Sequence, residues 1–317
     1  MFTETFDNLG RGDVPVAGGK GAFLGELTRQ GLPVPSGFVI LTSAYERFLR
    51  VNRLSEPISS ILGSLGKGEI SPEDASRRAC DLILPAELPD EIAAEIMDHC
   101  RELRMELMAV RSSATAEDGA ARSWAGQLDS YLNITAADLT SNVKKCWASL
   151  FSPRALAYRL EEPGNTDPIS VAVVVQEMVN PEVSGIAFSV DPVTENSGEM
   201  IIEAVFGLGE SIVQGLVTPD HYRLSKDPLA VLEVFPSEQE RGIYRGADGT
   251  TGWKNLDPAD VSRRKLSLGR ISELGRMVMK IEQVAGFPCD IEWVYNQGMF
   301  GMVQCRPITT LSGGDDE

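Results

Sequence analysis

Near the end of this 317-residue chain, two strand-like runs of alternating apolar and polar residues flank a turn. The first is Pro288-Cys289-Asp290-Ile291-Glu292-Trp293-Val294, and the second is Met299-Phe300-Gly301-Met302-Val303-Gln304-Cys305-Arg306-Pro307. Between them, Tyr295-Asn296-Gln297-Gly298 supplies the Asn and Gly expected of a hairpin loop. A period of two puts Asp290 and Glu292 on one face and Ile291 on the other; Gln304 and Arg306 likewise share a face of the return run. Paired as a hairpin, the runs project two carboxylates, an amide and a guanidinium from one sheet surface. Carboxylate and amide oxygens are the hard donors that Mg2+ takes, and a planar guanidinium suits phosphate. The set fits a metal-nucleotide site. A half-solvated hairpin with a charged outer face is the alternative.

The length suffices for a substantial core and two lobes. Hydrophobic residues make up 43% and charged residues 24%, as in a soluble globular protein. No run approaches the ~20 apolar residues of a membrane span, and the first residues carry no basic, apolar signal pattern. Five cysteines, an odd number with no C-x-x-C pair, point to reduced thiols in the cytoplasm rather than disulfides or structural zinc. The net charge of −17, from 46 acidic against 29 basic residues, opposes nucleic acid and anionic membrane surfaces. It leaves room for ATP, which needs only a local cluster of cations and a bridging metal.

In the N-terminal part, Val16-Ala17-Gly18-Gly19-Lys20-Gly21 leads into a helix over 22–30 that stops at Gly31. Glycines before a helix let backbone N–H groups approach an anion, with Lys20 beside them as a point charge. G-x-x-x-x-G-K-[ST] is absent, so this is no Walker A loop, and an ordinary turn is the plainer reading. A strand over 38–41 follows. Ser43-x-x-Glu46 is a capping box, Ser71-Pro72 opens another helix, residues 90–103 form a further one, and 61–70 read as a connector.

Next, Leu107-Met108-Ala109-Val110-Arg111 is a buried strand that delivers Arg111 to Ser112-Ser113-Ala114-Thr115-Ala116-Glu117-Asp118. An arginine at a strand end beside such a loop can aim donors at phosphate oxygens; an ion pair with Glu117 or Asp118 is the alternative. Gly126 precedes an alternating strand, and helices capped by Thr135 and Ser152 follow. Residues 169–178 form a continuous apolar strand that ends in Gln176-Glu177-Met178-Val179. Its exit can bind a purine edge or can simply be the polar end of a core strand. Strands are expected over 183–190 and 199–205, a flexible loop over 206–215, a mobile surface segment over 238–256, and a helical stretch capped by Asp257-Pro258 and reaching Ala285.

Taken in order, several blocks resemble one family. They are Ala17-Gly18-Gly19-Lys20-Gly21, Ala109-Val110-Arg111-Ser112-Ser113-Ala114-Thr115-Ala116-Glu117-Asp118, Ala125-Gly126-Gln127, Ser184-Gly185-Ile186-Ala187-Phe188-Ser189, Phe206-Gly207-Leu208-Gly209-Glu210, Asp290-Ile291-Glu292-Trp293 and Gln304-x-Arg306-Pro307. Together they resemble the N-terminal nucleotide-binding domain of the phosphoenolpyruvate synthase and pyruvate phosphate dikinase family, which includes rifampin phosphotransferase. The resemblance runs from about Gly18 to Pro307.

It implies an α+β ATP-grasp fold, with two lobes clasping Mg-ATP. The lobes are expected at 1–180 and 181–310, followed by a disordered acidic tail over 311–317. Carried over by motif, Lys20, Arg111 and Arg306 would hold phosphates and serve catalysis. Glu292 and Gln304 would ligate Mg2+, and Asp290 would support the site. Gln176, Glu177, Met178 and Val179 would line the adenine pocket, with Gly126 and Gln127 over the phosphates.

The family reaction passes the β-phosphoryl group of ATP to a histidine and then to an acceptor, leaving AMP. The two histidines here, His99 and His221, lie outside the family's phosphohistidine context and read as structural. A histidine-bearing and acceptor-binding domain or subunit is therefore the expected partner. The chain would be either a separate subunit, in an arrangement resembling phenylphosphate synthase, or part of a longer enzyme. The acceptor would be pyruvate, a phenol, an antibiotic hydroxyl or another group. The competing readings are a non-catalytic nucleotide-sensing module and a structural α+β protein without a ligand.

Overall fold

The computed structural model describes all residues except 116, 117, 120, 121, 124–128, 161–169, 247, 248 and 312–317, and gives only the backbone at 118, 119, 122 and 123. The chain divides into two units, Met1–Arg29 with Ser36–Met178 and Gln30–Pro35 with Val179–Glu317. Each mixes helices with antiparallel sheet, as an α+β nucleotide-binding domain does.

The first unit contains β1 (Thr3–Thr5), α1 (Val14–Arg29), β2 (Gly37–Ile40), α2 (Thr42–Val51), α3 (Ser55–Gly66), α4 (Pro72–Ile83) and α5 (Asp90–Glu102). It continues with β3 (Met108–Ala114), β4 (Asp118–Gly119), β5 (Arg122–Ser123), β6 (Ser130–Ile134), α6 (Leu139–Ser149), α7 (Pro153–Leu160) and β7 (Val171–Glu177). Five strands form a sheet in the order β1-β2-β7-β3-β6. The apolar run of β7 is buried through Gln176, because the sheet is covered on both faces. One face sends Phe38, Ile40, Val110, Val171, Val173 and Val175 into a core shared with Phe48, Ile83, Ile92, Ile96 and Trp147 of the helices. Each such aliphatic side chain contributes about 1.5–3 kcal/mol by leaving water. On the other face lies α1, so close that a Cβ on Gly21 would stand 2.9 Å from Val39 Cγ2.

Several local expectations are met and several are corrected. Ser71 does cap α4, its hydroxyl accepting from Asp74 N at 3.2 Å, and Ser152 Oγ accepts from Ala155 N at 3.2 Å. The Ser43 capping box does not form. The helix begins at Thr42, and Ser43 Oγ donates instead to Met1 O. Residues 61–66 are not a connector, since they complete α3, which buries Ile58 and Leu65. Thr135 bonds to Asp138 Oδ2 in a turn, and α6 starts later.

The second unit comprises β8 (Val183–Phe188), β9 (Glu199–Phe206), α8 (Glu210–Val213), β10 (Asp220–Lys226), β11 (Leu229–Phe235), β12 (Arg241–Arg245), β13 (Thr251–Asn255), α9 (Leu268–Ala285), β14 (Cys289–Asn296) and β15 (Met299–Pro307). Its six-stranded sheet has the order β11-β10-β9-β8-β14-β15, antiparallel throughout. One face is covered by α9, whose Gly275 approaches Leu224, Leu229 and Met200. The helix starts at Ser267, whose hydroxyl accepts from Arg270 N, and stops at Gly286 in the left-handed region with φ 74°. The expected cap at Asp257-Pro258 is thus ten residues early. Within 238–256, read as a mobile surface segment, Arg241–Arg245 and Thr251–Asn255 pair as the strands β12 and β13, and 206–215 contain the short helix α8.

Candidate functional site

In the second unit the site follows from the register of β14 and β15. The two-residue loop Gln297-Gly298 has φ of 49° and 85°, the left-handed pair that a tight hairpin requires. From there the strands pair in step as far as Trp293 opposite Met302, and a bulge that leaves Val303 unpaired then sets Glu292 opposite Gln304 and Asp290 opposite Arg306. Ile291 turns to the other side, where it and Trp293 are buried. The four polar side chains therefore share the sheet face opposite α9, Gln304 and Arg306 being brought onto it by the bulge. The same face continues across β8 and β9, because Glu292 pairs with Ile186 and Ile186 with Glu203.

Arg306 grips Asp290 through two nitrogens, Nε and Nη2, both 2.8 Å from Oδ2. Asp290 is 8% exposed, and its other oxygen, Oδ1, is buried without a hydrogen-bond partner among the described residues. Burial pushes the Asp290 carboxyl above the ordinary carboxylate range; Arg306 opposes that shift and neighbouring Glu292 adds to it. A buried carboxylate oxygen left unsatisfied is costly unless a cation or donor meets it. The set therefore fits a hard divalent cation with few protein ligands, as Mg2+ prefers. Among the described residues no three His, Cys, Asp or Glu side chains converge, so no closed cage of the zinc type is present there.

In the first unit, α1 is interrupted at Gly18, whose φ of 67° and ψ of 171° are not helical. Lys20 stands just beyond the break, and its Nζ donates to Ser112 O at 3.1 Å. Arg111 lies on β3 opposite Val174 of β7 and Ser130 of β6. Ala109 pairs with Gln176 on the same face, so Arg111 and Gln176 share the α1 side of the sheet. Gln176 is 2% exposed. The N–H groups of Glu177 and Met178 donate to Ser36 O at 2.8 Å and Leu107 O at 2.9 Å. Those two donors are engaged within the sheet, which leaves the carbonyls there as the groups with spare capacity for a ligand. Val179 begins the second unit's part of the chain. Gly126 and Gln127 lie outside the described residues.

One residue of this region carries a role that the sequence reading does not give it. Ser113, two positions after Arg111 and fully buried, meets both sides of the Gly18 break. Its period-two relation to Arg111 places it on the α1 face and is the one signal available beforehand. Neither histidine joins either group. His99 stacks near Phe38 with ring centroids 5.2 Å apart, and His221 Nδ1 is 3.5 Å from Glu203 Oε1. All five cysteines are free. No helix among the described residues is long and apolar enough to cross a membrane.

Residues 14–317 match the family described as "Pyruvate phosphate dikinase, AMP/ATP-binding domain". The chain is 39% identical, over its whole length, to a probable phosphoenolpyruvate synthase of Methanocaldococcus jannaschii, of which it covers 27%. It is 43% identical over 96% of its length to a probable phosphoenolpyruvate synthase of Archaeoglobus fulgidus, covering 41% of that protein. A rifampicin phosphotransferase of Bacillus cereus is 37% identical over 98% of the chain, which covers 36% of it. The chain thus spans well under half the length of these three relatives.

Proposed function

The chain belongs to the pyruvate phosphate dikinase AMP/ATP-binding domain family, and from that premise we propose that it binds Mg-ATP in an ATP-grasp fold and cleaves it for a dikinase-type phosphotransfer. The observation that carries the reading is the face of β14–β15. There Glu292 opposes Gln304, and Asp290, with one buried unsatisfied oxygen, opposes Arg306. Such a face combines acceptors for a cation with a donor for phosphate.

Glu292 and Gln304 hold the metal, with Asp290 behind them fixing Arg306. Mg2+ held there would supply neutralisation of the phosphate charge. Arg306, Lys20 and Arg111 donate to phosphate oxygens and hold the chain of phosphates in one orientation. Phosphoryl transfer asks chiefly for such positioning and charge stabilisation. Gln176, Glu177, Met178 and Val179 receive the adenine, with carbonyls of that segment accepting from its amino group. By the family motif, Gly126 and Gln127 would lie over the phosphates.

The β-phosphoryl group then passes to a histidine on another domain or subunit and on to an acceptor such as pyruvate, a phenol or an antibiotic hydroxyl, with AMP as the nucleotide product and the γ-phosphoryl group given up to water or inorganic phosphate. The names of the relatives, phosphoenolpyruvate synthase and rifampicin phosphotransferase, support transfer to more than one acceptor type in the family. Their greater length leaves room for such domains.

Calorimetry with ATP, with and without Mg2+, on wild type and Arg306→Ala tests the reading, with nucleotide products assayed on the same samples. Metal-dependent binding lost in the variant supports it. Absence of ATP binding to the wild-type chain overturns it.

A further inference from the structure

The break in α1 is bridged by a side chain from a strand. In an uninterrupted helix Gly21 N would donate to Ala17 O, four residues back. Here Gly21 N donates to Ser113 Oγ at 3.1 Å, and Ser113 Oγ donates to Ala17 O at 2.9 Å. The hydroxyl is thus inserted into one rung of the helix ladder, accepting from the N–H and donating to the carbonyl that would otherwise meet each other. A side chain inserted into the ladder is a recognised cause of a sharp kink.

Three further facts tie the insertion to Lys20. Gly18 lies inside the bridged rung with φ 67°, and a Cβ there would stand 2.1 Å from Ser113 O, so the break is moulded to this serine. Lys20 also lies inside the rung, between Ala17 and Gly21. Its Nζ donates to Ser112 O, the carbonyl that immediately precedes Ser113 in β3. Helix and ammonium are therefore held against the same two residues of one strand. The bridge is dry, since Ser113 is 0% exposed.

We propose, on the reading above that Lys20 contacts phosphate, that Ser113 is a positioning residue: its hydroxyl holds α1 open at Gly18 and so fixes Lys20 in its nucleotide-binding orientation before ATP arrives. Without the hydroxyl, Gly21 N and Ala17 O regain each other by closing the rung. Closure draws Gly18 toward helical dihedrals and rotates Lys20 about the helix axis. Ser113 itself touches no substrate. It acts through Lys20.

The test is a double-mutant cycle on Mg-ATP affinity with the 317-residue chain, using Ser113→Ala, Lys20→Met and the double variant. Ser113→Ala is expected to weaken Mg-ATP binding roughly tenfold, the scale of one misdirected charge-assisted contact. In the Lys20→Met background the same substitution should have almost no further effect. A merely structural role for Ser113 would weaken binding by the same factor in both backgrounds, and that additive result overturns the proposal. Unchanged affinity in Ser113→Ala overturns it as well, and so does an effect of Ser113→Ala where Lys20→Met has none. If circular dichroism shows Ser113→Ala unfolded, Ser113→Cys takes its place. That variant keeps a weaker donor and acceptor and should give a smaller loss with the same dependence on Lys20. Failure of the wild-type chain to bind ATP is a separate outcome, which removes the Lys20 reading and this inference with it.

Discussion

Asp290 and Arg306 face each other across β14 and β15, yet the pair is one-sided: two guanidinium nitrogens meet Oδ2 at 2.8 Å, and Oδ1 is left buried with no hydrogen-bond partner among the described residues. An ion pair built only for stability would satisfy both oxygens. The asymmetry instead leaves one buried carboxylate oxygen for a donor or a cation to satisfy, on the sheet face that also carries Glu292 and Gln304.

The pH dependence follows from the same pair. Burial raises the Asp290 carboxyl above its unfolded value, with Arg306 opposing. A raised folded-state value means that the contribution to stability is present at pH below the unfolded carboxylate range and is lost as pH rises through the folded one. The ligand-free protein should therefore lose stability over that interval, and Asp290→Asn should flatten the loss. On the proposed reading an ionised Asp290 supports the Mg-ATP site, so Mg-ATP affinity should rise over the same interval. Thermal unfolding and calorimetry over a pH series rising from the reference carboxylate value of ~3.9 read both. Equal pH slopes for wild type and Asp290→Asn would count against the assignment.

On the proposed reading, Arg306→Ala removes the guanidinium from phosphate as well as from Asp290. Loss of a charge-assisted contact costs about 1.5–3 kcal/mol, so ATP affinity should fall roughly ten- to hundredfold. The Asp290 carboxyl should shift further upward, because its opposing cation is gone. Titration of the variant by NMR would detect that second effect independently of nucleotide.

How much of this was legible beforehand depends on what each feature rests on. The alternation within each run was readable and puts Asp290 with Glu292 and Gln304 with Arg306, but a strict period of two back from the turn would set Gln304 opposite Ile291, so the sharing of one face by all four depends on a bulge. The bulge between Glu292 and Trp293, which leaves Val303 as the extra residue, was not readable, since either register buries apolar side chains. Hairpin β12–β13 escaped notice because β13 is exposed throughout and so lacks an apolar alternation. Its order comes from ladder bonds and from Arg241 stacked 4.4 Å from the Trp253 ring. The Ser43 capping box failed because Leu41, with extended dihedrals, already turns the chain into the helix. Ser113 was hidden for a different reason: its partners are 92 and 96 residues away, and no local pattern records them.

Gly18→Ala should be among the most damaging single-methyl additions in the chain. The residue has a positive φ, and its Cβ would overlap Ser113 O at 2.1 Å. Left-handed strain alone costs on the order of 1–2 kcal/mol, and the backbone overlap adds to it. Chemical denaturation should show a drop of at least ~2 kcal/mol in the first unit's transition. A variant as stable as wild type would mean that the break at Gly18 is not the native conformation.

Lys265→Met tests the core of the second unit. Lys265 and Asp220 both have side chains fully buried, with Lys265 Nζ 2.8 Å from Asp220 Oδ1 and 2.6 Å from Ser237 O. Asp220 also accepts from Ser237 N at 2.9 Å, Lys265 N at 2.9 Å and Tyr222 OH at 2.7 Å. The aspartate is thus the knot that ties residues 237 and 265, at either end of the β12–β13 excursion, to the sheet. Removing the ammonium leaves a buried carboxylate with three neutral donors, a loss of about 3–5 kcal/mol. The sheet face of Glu292 and Gln304 lies elsewhere in the unit, so nucleotide affinity at low temperature should stay within about twofold of wild type while the thermal midpoint falls, as expected for sites without shared partners. Paired calorimetry and thermal scans on the same sample separate the two quantities. A large loss of affinity in a fully folded variant would tie Lys265 to the nucleotide instead.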